Sequence, residues 1–252
     1  MNCCIIQARM GSSRLPGKTL MKLNDELSTL HFVKNQLTFS KFIDEIIVAT
    51  TDLEEDDVIE EICKEMKVKC FRGSSNDVLD RYYNCAKKFQ IENIIRITAD
   101  CPLIDPEIVD QVIQKFNTKN YDYVSNTLKR TYPIGTDVEI FSFEILDKTW
   151  RNAKLPSERE HVTPFIRNEK IDLKIGNLEN TTDLSHIRIT LDHKEDLELI
   201  KQIISQINKN PILLNDIMDL LSRNPELVKI NQHISPNEGM LKSLQQDRNF
   251  KN

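Results

Sequence analysis

Two hydrophobic periods alternate along the first half of the chain, and this alternation restricts the fold more than any other feature. Cys3–Ile6, Ile46–Ala49, Lys67–Phe71 and Ile94–Ile97 are brief apolar runs, β-branched or cysteine-rich and bounded by polar residues, so each reads as a strand. Between them, Val58, Ile59, Ile62, Cys63 and Met66 share one helical face, as do Leu79, Tyr82, Tyr83 and Ala86. A βαβαβα order predicts a parallel sheet covered by helices, because each crossing between parallel strands carries a helix. Asp105, Pro106 and Glu107 then supply an N-cap, a proline at the first helical position and an acid in the first turn. The core stripe of that helix is Val109, Val112, Ile113 and Phe116. Asp137–Phe141 alternates as a strand and leads through Ser142 into a short helix around Phe143–Trp150. Ile187–Leu191 reads as a further strand, followed by a helix over Lys194–Ile207. Beyond residue 207 helical pieces and a polar tail follow, with Gln245–Asn252 expected to fray.

With 252 residues the chain has the length of one large domain, or of one domain with small additions. Its 39% hydrophobic and 29% charged residues exclude a disordered chain. A formal net charge of −5 argues against a nucleic-acid binder, yet leaves room for a small concentrated basic site. The six cysteines form no C-x-x-C pair and lie mostly in apolar segments, as expected of buried, reduced thiols. There is no cationic leader with a long apolar stretch, and no run approaches the roughly 20 apolar residues that span a bilayer. The expectation is a soluble cytoplasmic protein with neither nucleic acid nor membrane as partner.

In open parallel sheets ligands sit beyond the carboxyl ends of the strands. The segment after the first strand, QARMGSSRLPGKTL (residues 7–20), ends in GKT, but it is not a P-loop. That pattern places four residues between its first glycine and the GK[ST], whereas five separate Gly11 from Gly17, and Pro16 removes a backbone donor. The G-x-G-x-x-G dinucleotide fingerprint is absent too. What remains has the composition of a phosphate site: Gly11 allows close backbone approach, Ser12 and Ser13 offer hydroxyls, and Arg9, Arg14 and Lys18 place three cations near a strand end.

The stretch Ala8-Arg9-Met10-Gly11-Ser12-Ser13-Arg14-Leu15-Pro16-Gly17-Lys18 resembles the opening loop, ARxGSxRxPGK, of the cytidylyltransferases that activate sugar acids. The resemblance is greatest to their SpsF-like, spore coat polysaccharide branch. Further matches are Asn76–Tyr83, Thr98–Ile104, Gly135–Phe141, Glu160–Pro164, and Asp192 with Glu195-Asp196-Leu197, in the expected order over most of residues 2–205. The resemblance implies a Rossmann-like α/β/α three-layer fold with a mostly parallel mixed sheet, as in nucleotide-diphospho-sugar transferases. It implies a catalytic domain over residues 1–207 with a dimerisation and acceptor arm within about 120–170, a helical extension over 208–252, and a homodimer. It also implies transfer of CMP from CTP to an anionic small-molecule acceptor, with Mg2+ as cofactor and pyrophosphate leaving.

By the same resemblance Arg14 and Lys18 hold the β- and γ-phosphates and Arg9 lies nearer the α-phosphate, with Ala8, Gly11, Ser12 and Ser13 around the nucleotide. Lys18, Arg9 and Asp100 carry catalysis, and Asp100 with Asp192 ligates the metal. Asp100 also suits a loop or capping role, though Asp105 is the better N-cap. Asp192 also suits a cap for the helix that follows, and His193-Lys194 departs from the threonine or tyrosine and proline common in relatives. Asn76, Asp80 and Arg81 fall where relatives hold the nucleotide, although a surface ion pair from Arg81 to Asp77 or Asp80 is an equal reading. Arg130, Tyr132, Asp137, Glu139, Arg159 and His161 fall where the family places its acceptor pocket. His161 is readable as base, anion ligand or packing residue. Two other readings stand beside the cytidylyltransferase. A glycosyltransferase would favour Asp-x-Asp where this chain has Asp100-Cys101-Pro102, and a non-enzymatic nucleotide-binding protein would be expected to lack the loop cations or Asp100.

Overall fold

A computed structural model describes residues 1–168, 172–236 and 238–250. Its centre is a sheet of seven strands, β1 (Asn2–Gln7), β2 (Glu45–Thr51), β3 (Lys69–Gly73), β4 (Asn93–Thr98), β5 (Tyr123–Ser125), β6 (Glu139–Ser142) and β7 (Ile175–Asn177). They are ordered β3-β2-β1-β4-β6-β5-β7. The first four pair in parallel, β6 runs antiparallel to both β4 and β5, and β7 is parallel to β5. The four expected N-terminal strands are all present, displaced by no more than two residues at either end. The sheet is mixed because β6 enters between β4 and β5 from the opposite direction.

Period-two alternation divides the strand residues between two cores. Cys4, Ile6, Val48, Ile95, Ile97, Val124 and Ile140 face one side with helices α1 (Thr29–Leu37), α2 (Asp57–Glu65) and α4 (Pro106–Asn117). Cys3, Ile5, Ile47, Ala49, Ile94, Tyr123 and Phe141 face the other side with α3 (Val78–Lys88) and α5 (Phe143–Asn152). Both faces of the parallel part are therefore covered, which its continuous apolar strands require. The cap read at Asp105 is present: its carboxylate accepts from the N–H groups of Glu107 (2.7 Å) and Ile108 (3.4 Å). Residues 120–168, where the arm is expected, contribute β5 and β6 to the sheet and α5 and α6 (Pro156–His161) beside it.

A third core gathers Leu15, Leu23, Ile187, Ile189 and Leu191 with α7 (Lys194–Gln206) and α8 (Leu214–Arg223). Residues beyond 207 are thus tied to the sheet domain. Gln36 donates to the carbonyls of Ile104 and Ile212 and accepts from Ile212 N–H, and Asp105 accepts from Leu214 N–H at 2.6 Å. The segment from residue 245 is helical as far as Phe250, as the end of α9 (Glu238–Phe250); residues 251–252 lie outside the described residues. Among the described residues no helix is long and apolar enough to cross a membrane.

One expected strand is corrected. Ile187–Leu191 is extended but makes only an isolated bridge, Arg188 to Ile134. Past that bridge the segment bonds to the loop after β4: Leu191 N–H donates to Asp100 O (2.8 Å), and the Thr190 hydroxyl donates to the same carbonyl (3.0 Å). The apolar run is real, but it serves the third core and a loop instead of a neighbouring strand. Gly135 permits this docking. Its φ is +108°, and a Cβ there would meet the backbones of Ile189 and Thr190 at 2.6 Å. Gly135→Ala is expected to lower stability by about 2–4 kcal/mol. Urea unfolding checks this, and an unchanged midpoint would contradict the packing of residues 187–191 against this turn.

Candidate active site

β1 lies between β2 and β4, so chain order reverses there and the loops after β1 and β4 emerge side by side. The first loop is shaped from within. Met10 N–H donates to Asp56 Oδ1 (2.6 Å), Gly17 N–H to Met10 O (3.0 Å), and Thr19 Oγ1 to Arg9 O (2.8 Å). Gly17 closes this ring at φ +73°, a conformation that favours glycine. Leu15 N–H is taken by Ser12 Oγ (3.3 Å) and Lys18 N–H by Leu15 O (3.2 Å). These bonds fix the loop's shape, and Arg9, Arg14 and Lys18 supply its positive charge.

Those side chains converge on two carboxylates. Lys18 Nζ lies 2.6 Å from Asp100 Oδ2 and 2.7 Å from Asp192 Oδ1, and Arg14 reaches Asp192 Oδ1 at 2.7 Å. Burial alone would raise the Asp100 carboxyl, but the Lys18 ammonium and the Thr98 hydroxyl, 2.5 Å away, more than offset it and bring its pKa to about 2. Burial would likewise lower Lys18, and the two aspartates reverse this and raise its pKa. Asp100 and Lys18 are therefore both charged at neutral pH. Asp192 does not cap α7. Asp196 does so, accepting from the N–H groups of Asp192 and His193 at 2.9 Å each, and the fully buried Asp196 is held by Arg188 and Asn231. Arg188 also donates to Asp192 Oδ2 (3.1 Å), leaving the other oxygen for Lys18 and Arg14.

Around this centre is a cavity of about 740 Å³ lined by the loop from Ala8 to Lys18, by Asn76, Asp100, Arg159 and His161, and by α9. Arg9 enters it paired to Glu160 at 3.0 Å. Ala8, Gly11, Ser12 and Ser13 line it as the sequence suggests. A neighbouring cavity of about 710 Å³ shares Arg96, Thr98 and His161 with the first and adds Arg130, Asp137, Glu139 and Arg167. Arg130 makes a two-point contact with Asp137, 2.6 and 2.7 Å. Glu139 is almost wholly buried among Arg96, Arg167, Tyr123 and Thr163 and acts as their counter-charge. Burial, then Arg96, lowers the pKa of His161, which favours its neutral form.

Three expected residues stand apart from both cavities. Tyr132 is buried in the apolar core under the sheet. Asp80 accepts from Trp150 Nε1 (2.8 Å) and Asn84 (2.9 Å), joining helices instead of facing a ligand. Arg81 is fully buried, so it forms no surface ion pair; it donates to Ser74 O (2.9 Å), and Asp77 is taken by Arg159. Their periodicity looks the same in sequence whether a side chain turns to the cleft or to the core.

A family model described as cytidylyltransferase matches residues 3–231. The chain belongs to the cytidylyltransferase family. Within it, this protein resembles the Bacillus subtilis spore coat polysaccharide biosynthesis protein SpsF, 36% identical over 229 residues, 88% of this chain and 94% of the relative. A solved cytidylyltransferase from Leptospira borgpetersenii superposes with TM-score 0.86 at 37% identity, covering 93% of this chain and 98% of the other. At 17% identity, a CMP:2-keto-3-deoxy-manno-octonic acid synthetase solved with CTP shares the fold, with TM-score 0.62 over 81% of this chain and 98% of that one. The SpsF-like assignment and the nucleotidyltransferase fold read from the sequence are thus shown, and the chain is a CTP-dependent nucleotidyltransferase.

Several groups of this cytidylyltransferase escape sequence reading: Asp56 beneath the loop, Glu160 opposite Arg9, Arg96 and Arg167 around Glu139, and Arg188 with Asn231 behind Asp192. Each acts through a partner at least four residues and mostly tens of residues away, which periodicity does not register. Glu139 offers a test. Burial alone would raise its pKa, but Arg167 and Arg96 lower it from 4.5 to about 2, so it stabilises the fold fully above its ordinary value. That contribution is lost as pH falls towards 2. Glu139→Gln is expected to cost about 3–5 kcal/mol at neutral pH, since two arginines lose their partner. In urea unfolding across pH the gap from the unmodified chain should shrink with acidification; a gap independent of pH would contradict this.

Proposed function

We propose that the protein transfers CMP from CTP to an anionic small-molecule acceptor, a sugar acid or phosphorylated small acid, in the making of a surface polysaccharide precursor, and that Mg2+ is its cofactor. The supporting observation is the convergence of Arg14 and Lys18 with Asp100 and Asp192 at the point where strand order reverses. An acceptor oxygen attacks the α-phosphorus, the bond from that phosphorus to the bridging oxygen breaks, and pyrophosphate departs with the electron pair. The protein's task is alignment and charge neutralisation. Arg14 and Lys18 would take the β- and γ-phosphates as negative charge grows on them, with Arg9 near the α-phosphate. Ser12 and Ser13 would offer hydroxyls to the same chain of phosphates.

Asp100 and Asp192 suit a divalent cation: both carboxylates already flank one positive group, the Lys18 ammonium, and Mg2+ needs only one or two carboxylates besides water and phosphate. Bound there, the ion would neutralise phosphate charge. Lys18 would then turn from the carboxylates to the triphosphate. The second cavity, with Arg130 and Arg167, would take the anionic acceptor, and His161 stands where the two cavities meet.

Pyrophosphate release tests the reading when each of four nucleoside triphosphates is supplied with Mg2+ and a panel of acidic sugars and phosphorylated small acids. Release with CTP and one acceptor is the expected result; no release across the panel, with nucleotide-sugar hydrolysis instead, would refute it. Lys18→Ala and Asp100→Ala should each lower turnover on the order of 100-fold. Activity within a few-fold of the unmodified chain would show that the site has been misassigned.

A further inference from the structure

The C-terminal helix forms a wall of the larger cavity. α9 docks on α6 through two polar joints: Asp247 accepts from Ser157 N–H (2.9 Å) and Oγ (2.6 Å), and Ser243 Oγ lies 3.0 Å from His161 Nε2. Ser243 and Asp247 are one turn apart, so together they fix the rotation of α9 about its axis. The adjacent stripe, Glu238, Lys242 and Gln246 at successive intervals of four, then faces the cavity. Glu238 shows where that stripe points. Its Oε2 accepts from Arg14 Nη1 at 3.3 Å and lies 3.1 Å from His193 Nε2, over the loop after β1. Lys242 stands one turn, roughly 6 Å, further along the same stripe.

The charges of this cavity are otherwise matched. Arg9 pairs with Glu160, Arg14 with Asp192 and Glu238, Lys18 with Asp100 and Asp192, Arg96 with Glu139, and Arg159 with Asp77. Lys242 has no carboxylate partner among the described residues. We propose that Lys242 is a fourth cation of the nucleotide's polyphosphate site, delivered by the C-terminal helix, and that it binds an oxygen of the β- or γ-phosphate. This rests on the reading of the cleft as a CTP site and extends it to a segment to which the family resemblance gives no role. A nucleoside triphosphate brings about four negative charges into the cleft, and an unpaired ammonium at its wall can engage them without first breaking an ion pair.

The test uses the full chain and its Lys242→Ala, Lys242→Arg and Lys242→Glu variants, titrated calorimetrically with CTP and with CMP in magnesium buffer. Lys242 is exposed and unpaired, so these changes should leave the thermal midpoint nearly unmoved. Alanine is expected to weaken CTP binding about 10-fold, glutamate more, and arginine to stay within about three-fold of lysine, while CMP changes less than about two-fold. CTP affinity unchanged by alanine overturns the proposal, as does an equal loss for CTP and CMP, which would place Lys242 on the nucleoside or on helix packing. If the unmodified chain binds no CTP, the nucleotide reading itself fails and takes this inference with it. CTP binding that ignores the whole Lys242 series defeats the inference alone.

Discussion

The ammonium of Lys18 holds together three parts of the chain that would otherwise repel or drift. It carries the loop after β1 to Asp100 at the end of β4 and to Asp192 at the end of the extended segment 187–191, at 2.6 and 2.7 Å. Two carboxylates this close to one point repel each other, and the ammonium between them offsets that repulsion. Arg14 and Arg188 share the load on Asp192, and Asp196 with Asn231 fixes Arg188 in turn. The centre is thus a small lattice of alternating charge where the loops after β1 and β4 leave the sheet. On the proposed function, a triphosphate would draw the cations away and a divalent ion would take their place between the carboxylates.

The fold serves this centre by making its backbone rigid. Asp56, fully buried, anchors Met10, and the ring closed at Gly17 sets the direction in which Arg14 and Lys18 leave the loop. Gly135 lets the segment ending in Asp192 lie against its turn, and Asp100 gives its carbonyl to Leu191 and Thr190 while its carboxylate faces Lys18. Backbone and side chain of one residue therefore tie the loop after β4 both to segment 187–191 and to the loop after β1. Such preorganisation is what a reaction dominated by charge neutralisation requires.

Much of this architecture was legible from the sequence because it repeats a period. The apolar strands β1 to β4 and the amphipathic helices α2, α3 and α4 follow it closely, and the cationic loop stands out because glycine, hydroxyls and three cations coincide after a strand. The distal half was harder to read. Ile187–Leu191 has a strand's composition but pairs with loops, and Tyr132 and Arg81 carry polar groups that a sequence naturally assigns to a site although both are buried away from it. Asp192 illustrates the limit most clearly: an aspartate before a helix looks like a cap, and only the presence of Asp196 four residues on relieves it of that duty. Pairings such as Arg9 with Glu160 or Arg14 with Glu238 span more than 150 residues and leave no local mark.

The central question is what Lys18, Asp100 and Asp192 do when substrate arrives. A crystal structure of the protein with CTP and Mn2+, the metal located by its anomalous signal, examines all three at once. The expected result is Mn2+ ligated by the Asp100 and Asp192 carboxylates and by phosphate oxygens, with Lys18 and Arg14 moved onto the triphosphate. A triphosphate bound away from the loop after β1, or a metal that neither aspartate touches, would contradict it.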